Sequence, residues 1–147
     1  MSPLRLPAAF IASFAAVALT AFAASTHAAP ASAPHAAACV AALKAREASM
    51  AASSPAGTPT EPELLSVVQG GIAIIGTQYL AGLREAEARQ MLDAAEHEFL
   101  ALPEPDARAR QAACQQEGSA LYRHASSFER MLITRAAERR IRRLRGG

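Results

Sequence analysis

The sequence predicts an all-α protein: a small helical bundle built on a long antiparallel helical hairpin, with an N-terminal helix stapled to it by a disulfide. Apolar residues recur at helical spacing through most of the chain after residue 35. No stretch of the mature chain alternates apolar and polar residues as a half-buried strand would. The chain has 147 residues and a net charge of +2. These values predict at most one domain and exclude an obvious polyanion-binding protein.

Residues 1–28 have the pattern of a secretory signal peptide. Arg5 precedes an apolar run over 8–24, and small residues follow it, with a cleavage point near Ala28. The predicted location is therefore periplasmic or secreted. The alternative is a membrane-anchored chain, held either by an uncleaved leader or by a lipid on Cys39, because Ala36–Cys39 faintly resembles a lipobox.

Export changes the meaning of the two cysteines. In an oxidising compartment, a single pair in a small domain predicts a disulfide between Cys39 and Cys114. Closing so long a loop stabilises the fold by about 4 kcal/mol in the chain-entropy model. The chain has no CxxC motif, so neither a thioredoxin-like redox site nor a c-type haem attachment is expected.

Residues 29–60 are predicted to contain a flexible lead-in, one short helix and a linker rich in Pro, Ser and Gly. The helix runs from His35 to about Met50. Its apolar face is predicted to hold Ala36, Cys39, Val40, Leu43 and Met50, and its outer face Lys44, Arg46 and Glu47. Cys39 therefore points toward the core, as a bridging cysteine should.

Residues 61–147 are predicted to form the hairpin, with arms at 61–101 and 106–145. Two overlapping capping-box patterns, at Thr58 and Thr60, mark the start of the first arm. Pro103 and Pro105 end it, because proline cannot continue a helix. The glycines at Gly70 and Gly71 could instead break this arm.

The first arm contains an uncharged stretch, Leu64–Leu83, whose length suits a buried core helix or a membrane span. Its polar residues, among them Gln69 and Gln78, would need partners in lipid, and its flanks lack a clear excess of positive charge. Glycines at such positions let another backbone approach closely. These features favour the core helix and keep the span as the alternative.

The second arm carries a heptad-like apolar seam, and Asp106 is expected to cap its start. The seam residues are Cys114, Gly118, Leu121, Ala125, Phe128 and Leu132. A substitution such as Phe128→Asp is thus expected to unfold the domain. If the two arms are antiparallel, the basic end of this helix lies beside Glu61 and Glu63.

The residues that could support catalysis or metal binding do not form a recognisable site. Serines lack a GxSxG context, and Asp93 with His97 supplies only two ligands on one helix face. His124 is expected to pack beside the seam, and His35 belongs to the flexible start. The sequence predicts no enzyme, no metal site and no cofactor.

A basic C-terminal helix is the one feature that suggests a binding surface. The residues assigned to a possible anionic-surface site are Arg135, Arg139, Arg140, Arg142, Arg143 and Arg145. A basic amphipathic helix can lie on an anionic membrane surface, and cations at a helix C-terminus also complement its dipole.

The expected function rests on the predicted helical fold and the predicted location of the chain. We expect an exported, non-enzymatic helical protein of a bacterial-type cell envelope that binds a protein partner, as an inhibitor, immunity-type protein or accessory factor. The alternative is a membrane-associated structural protein in which Leu64–Leu83 spans the bilayer and the basic helix binds its surface. Nucleic acid is not expected as a partner of an exported chain, and the pattern allows a homodimer.

Overall fold

The computed structural model describes residues 31–53 and 61–146 as an all-helical bundle. The predicted signal peptide, the Ser/Pro/Gly linker and the Thr58 and Thr60 caps lie outside these residues. Within them are five helices: α1 (Ala33–Ser53), α2 (Glu61–Leu80), α3 (Glu85–Leu100), α4 (Glu104–His124) and α5 (Ser127–Leu144). The described residues form no strand, and the all-α prediction is confirmed.

The disulfide predicted from the sequence is present. Cys39 of α1 and Cys114 of α4 are bonded and almost fully buried. They join a core built around α1, which packs against α2, α3 and α4. A second apolar cluster lies between α2 and α5, where Leu64 and Val68 meet Ala137 and Ile141.

The uncharged stretch Leu64–Leu83 is a core helix followed by a turn. Its buried residues include Leu64, Val67 and Ile74. The polar side chains also have partners: Gln69 Nε2 donates to Thr134 Oγ1 at 3.0 Å, and Gln78 Nε2 donates to the carbonyl of Ala31 at 3.0 Å. Of the helices in 31–53 and 61–146, none is long and apolar enough to cross a membrane.

The first arm is divided at Gly82 rather than at Gly70 and Gly71, where α2 continues without interruption. Gly82 has φ +99°. Its N–H donates to the carbonyl oxygen of Tyr79, and the N–H of Leu83 donates to the carbonyl oxygen of Gln78. This pair of bonds is a Schellman motif, which favours glycine because a left-handed residue must follow the helix. The long helix predicted through this point is therefore two helices.

The second arm is divided at Ser126. Its hydroxyl accepts from the Glu129 N–H at 3.2 Å, and the Ser126 N–H donates to Glu129 Oε2 at 2.7 Å, so that a capping box begins α5. The new helix starts in a different rotational phase from α4. As a result Cys114 and Gly118 of the predicted seam are buried, whereas Phe128 is exposed.

Asp106 and Glu47 lie in different positions from those that the sequence predicts. Asp106 lies inside the first turn of α4 and does not cap it, because the helix already begins at Glu104. Glu47, assigned to the outer face of α1, is only 4% exposed. It is buried because α5 brings Arg140 to it, with Nε 2.6 Å from Oε1.

Helices α2 and α4 cross at a pair of glycines. A Cβ on Gly118 would lie 2.6 Å from the Cα of Gly70, a distance that leaves no room for a side chain. The close backbone approach expected of the glycines in α2 is thus found at Gly70, and its counterpart is Gly118.

Candidate binding surface on helix α5

Helix α5 has one face in the core and one in solvent. Its inward residues include Ala137 and Ile141, which are buried against Leu64 and Val68 of α2. Thr134 lies one turn before Ala137 and joins the hydrogen bonds that link α2, α4 and α5. This inward stripe determines which residues face outward.

The outward residues follow helical spacing. Phe128, Leu132, Arg135, Arg139 and Arg142 are separated by 4, 3, 4 and 3 positions, and all are exposed. With the neighbouring exposed residues Met131 and Arg143, they form what we call the α5 outer face. Phe128 is 65% exposed and Leu132 is 47% exposed. Three large apolar side chains thus occupy its N-terminal half and four arginines its C-terminal half.

The six arginines assigned from the sequence separate into two groups. Arg140 is paired with the buried Glu47, and Arg145 Nη1 lies 3.3 Å from Glu61 Oε1. These two therefore connect α5 to α1 and α2, and the expected approach of the basic end to Glu61 is confirmed. Glu63 pairs with Arg46 instead.

The other four arginines, Arg135, Arg139, Arg142 and Arg143, are exposed. In the part of the chain that the structure describes, none of the ion pairs involves them. Glu138 is the only acid among residues 130–146 of α5 and its C-terminal turn. The C-terminal half of the α5 outer face therefore carries a net positive charge that no ion pair among the described residues neutralises.

The seam spacing from Cys114 predicts that Phe128 and Leu132 lie in the core. This prediction is wrong, because both side chains are exposed. The missed signal is Ser126-Ser127-Phe128-Glu129, an S-x-x-E capping pattern that marks a new helix start. Phe128→Asp is consequently no longer expected to unfold the domain.

The acid at the start of α5 is held in its ionised form. Hydrogen bonds from Ser126, first from its side chain and then from its backbone, lower the pKa of Glu129. Ionised Glu129 also complements the positive end of the helix dipole. The capping box and the favourable charge at the helix N-terminus stabilise the first turn of α5, which contains Phe128.

The histidines are placed differently from expectation in two cases. His97 and Asp93 are exposed on α3, as expected. His124 is exposed at the end of α4 rather than packed. His35 is in the first turn of α1, with Nε2 2.8 Å from Glu117 Oε2 of α4.

Comparison of the chain with models of protein families, with curated proteins and with solved structures gives no match.

Proposed function

We propose that this chain is an exported, non-enzymatic protein of a bacterial-type cell envelope that acts by binding a protein partner through the α5 outer face. One observation carries this proposal: Phe128, Met131 and Leu132 are exposed on the face that also presents four arginines with no ion pair to any described residue. A contiguous exposed apolar patch next to concentrated charge is typical of an interaction site.

The layout of the surface indicates the kind of partner. The apolar and cationic halves follow one another along a single face, and Phe128 and Arg142 lie about 21 Å apart at 1.5 Å per residue. A groove that is apolar at one end and acidic at the other would match both halves. This is helix-in-groove recognition, in which residues at helical spacing act as anchors.

Two other occupants fit the layout less well. A helix lying on an anionic membrane has its apolar side in the bilayer and its cations on the opposite side, whereas here both kinds of residue share one face. In a symmetric dimer through this face, the arginines of one copy would face those of the other if the α5 helices ran parallel, and would face its apolar half if they ran antiparallel. Neither arrangement supplies acids to the arginines. The arrangement therefore favours an acidic protein over a lipid surface or a second copy.

The proposal can be tested with a photo-crosslinking amino acid at position 128 in the producing cell. We expect one crosslinked envelope protein, which is then purified for measurement of its affinity. Two matched pairs of variants separate the surface from general effects. Leu132→Ala is compared with Leu100→Ala on α3, and Arg139→Glu is compared with Arg84→Glu before α3, because all four residues are exposed.

Leu132→Ala and Arg139→Glu should each weaken binding at least about tenfold, while Leu100→Ala and Arg84→Glu leave it unchanged. The loss in Arg139→Glu should appear mainly in the association rate and diminish at high salt. Equal affinities within each pair would refute the proposed surface. Binding to anionic phosphatidylglycerol vesicles that depends on Arg139, without a protein crosslink, would replace the protein partner with a membrane.

A further inference from the structure

Four side chains that can bind metal ions meet where α1 and α4 are bonded. Helix α1 contributes His35 and Cys39, four positions apart, and α4 contributes Cys114 and Glu117, three positions apart. Residues at these spacings lie on the same helix face. The disulfide therefore aligns two facing ligand pairs, His-x3-Cys on α1 and Cys-x2-Glu on α4.

Three of the four potential ligand atoms, those of His35, Cys39 and Glu117, are spaced nearly as in a tetrahedral zinc site. Cys39 Sγ lies 3.8 Å from His35 Nε2 and 3.9 Å from Glu117 Oε2, and the latter two atoms are 2.8 Å apart. Zinc bonds of about 2.3 Å to sulfur and about 2.0 Å to nitrogen or oxygen place S and N or O about 3.5 Å apart, and N and O about 3.3 Å apart. Among these three atoms, changes of roughly half an ångström or less would convert one arrangement into the other. The two sulfur atoms, which are covalently bonded in the disulfide, must separate to about 3.8 Å once the bond is cleaved.

In the disulfide form this group is not a metal site, because both sulfur atoms are bonded to each other and only His35 and Glu117 remain as ligands. Two ligands do not make a stable zinc site. Cleavage of the bond changes the number of ligands from two to four. Among the described residues, His35, Cys39 and Glu117 are the one group of three or more such side chains whose ligand atoms all lie within 4.8 Å of one another.

We propose that reduction of the Cys39–Cys114 disulfide creates a zinc site formed by His35, Cys39, Cys114 and Glu117. A dithiol donor transfers two electrons and two protons to the S–S bond and becomes a disulfide itself, which leaves two thiols on the protein. Zn²⁺ then displaces the two thiol protons and binds both thiolates, the imidazole and the carboxylate. Zinc is the expected ion because thiolate and imidazole ligands in a tetrahedral arrangement suit it, whereas Mg²⁺ and Ca²⁺ require oxygen ligands.

The site would link α1 to α4 in the reduced protein, as the disulfide does in the oxidised protein. The disulfide joins them when oxidised, and the metal ion joins the same two positions when reduced, because metal binding to a folded site contributes directly to folding free energy. His35 is about half exposed and Glu117 about a third exposed. An ion can thus reach the group from solvent. The site is separate from the α5 outer face and does not depend on the proposed function.

The test uses the purified protein. It is reduced anaerobically with a water-soluble phosphine, which is oxidised to the phosphine oxide with oxygen from water, and the reductant is then removed by gel filtration. Zinc binding is measured by competition with a chromophoric chelator, and Co²⁺ is added separately as a spectroscopic probe. The variants are His35→Ala and Glu117→Gln, with His97→Ala as the matched histidine control on α3. Circular dichroism reports the helix content of every sample with and without zinc.

We expect reduced wild-type protein and His97→Ala to bind one Zn²⁺ and the oxidised protein to bind none under the same conditions. Each ligand variant should weaken binding at least about tenfold. Co²⁺ should show a thiolate charge-transfer band and tetrahedral visible bands. If reduction lowers helix content, zinc should restore it in the wild type.

Three results would overturn the proposal. The reduced protein could fail to bind zinc, or remain unfolded with zinc present. The His35→Ala and Glu117→Gln variants could bind as tightly as the wild type, which would mean that the thiols alone hold the ion. Equal binding by the oxidised and reduced forms would show that the disulfide does not control the site.

Discussion

Gly118→Ala should destabilise the protein although it adds a single methyl group and replaces glycine in a helix. The added Cβ would lie 2.6 Å from Gly70 Cα and 2.8 Å from its carbonyl carbon and oxygen. All three atoms belong to the backbone of α2, so no side chain can rotate to make room. The two helices must separate by about 1 Å to reach ordinary van der Waals contact, and close-packed interiors transmit such shifts.

The expected cost follows from two opposing terms. Overpacking a tightly packed contact costs about 1–3 kcal/mol. Alanine recovers up to about 1 kcal/mol through its higher helix propensity. The net loss should be about 1–2 kcal/mol, and each kcal/mol corresponds to a fall in Tm of about 4 °C for a domain of this size.

Two glycines of α2 provide matched controls for Gly118, which lies in α4. A Cβ on Gly70 would be 3.4 Å from Gly118 Cα, so Gly70→Ala should be close to neutral, and a Cβ on Gly76 would meet nothing within 4 Å. Gly76→Ala should therefore raise stability by up to about 1 kcal/mol. Urea unfolding followed by circular dichroism should rank the free energies of unfolding as Gly76→Ala, Gly70→Ala and Gly118→Ala, from most to least stable. A Gly118→Ala variant as stable as Gly76→Ala would refute the close backbone contact between α2 and α4 at Gly70 and Gly118.

Three further predictions concern charges and caps. Arg140→Ala should lower the free energy of unfolding, measured in urea, by about 1–3 kcal/mol because it leaves Glu47 buried without its cation. The control Arg139→Ala should change it by less than about 0.5 kcal/mol. Equal effects of the two substitutions would contradict the ion pair. Ser126→Ala should cost about 1 kcal/mol in the same assay through loss of the α5 cap, and no loss would mean that the cap is not formed in solution. Because the Glu129 pKa is lower in the folded state than in the unfolded chain, its contribution is complete above the ordinary carboxyl pKa and is lost as pH falls through the lowered value. A pH titration of unfolding should show this acid-side loss shrinking in Ser126→Ala, and identical acid-side slopes would argue against it.

Much of the helical structure was readable from local patterns. The apolar periodicity of α1 and the prolines after α3 predicted elements that the structure contains. The single cysteine pair, in a chain expected to be exported, predicted the disulfide, and the inward placement of Cys39 and Cys114 agreed with it. Such signals act over a few residues, and they hold whatever the rest of the chain does. The break at Ser126 was also readable, since its S-x-x-E pattern lies in the sequence, but the apolar spacing that continued across it concealed the change of phase.

The candidate surface was predictable only in part for the same reason. The arginines are a property of composition, and they were identified as a group. Arg140 and Arg145 pair with acids of other helices, and the other four have no ion pair within the described residues; this division depends on how α5 docks on α1 and α2. Phe128 is exposed because a new helix starts just before it, and this exposure is what turns a basic helix end into a surface with an apolar half.

The sequence by itself determined the helical class, the outer ends of the two arms and the disulfide, because periodicity, prolines and paired cysteines act through local geometry and covalent chemistry. The tertiary structure decided which side chains far apart in the chain meet: Gly70 with Gly118, Glu47 with Arg140, and His35 with Glu117 beside the disulfide. These contacts depend on the relative rotation and depth of packed helices. A rotation of one helix by a single residue position would exchange the buried and exposed partners, and only the packing of all five helices selects among such arrangements.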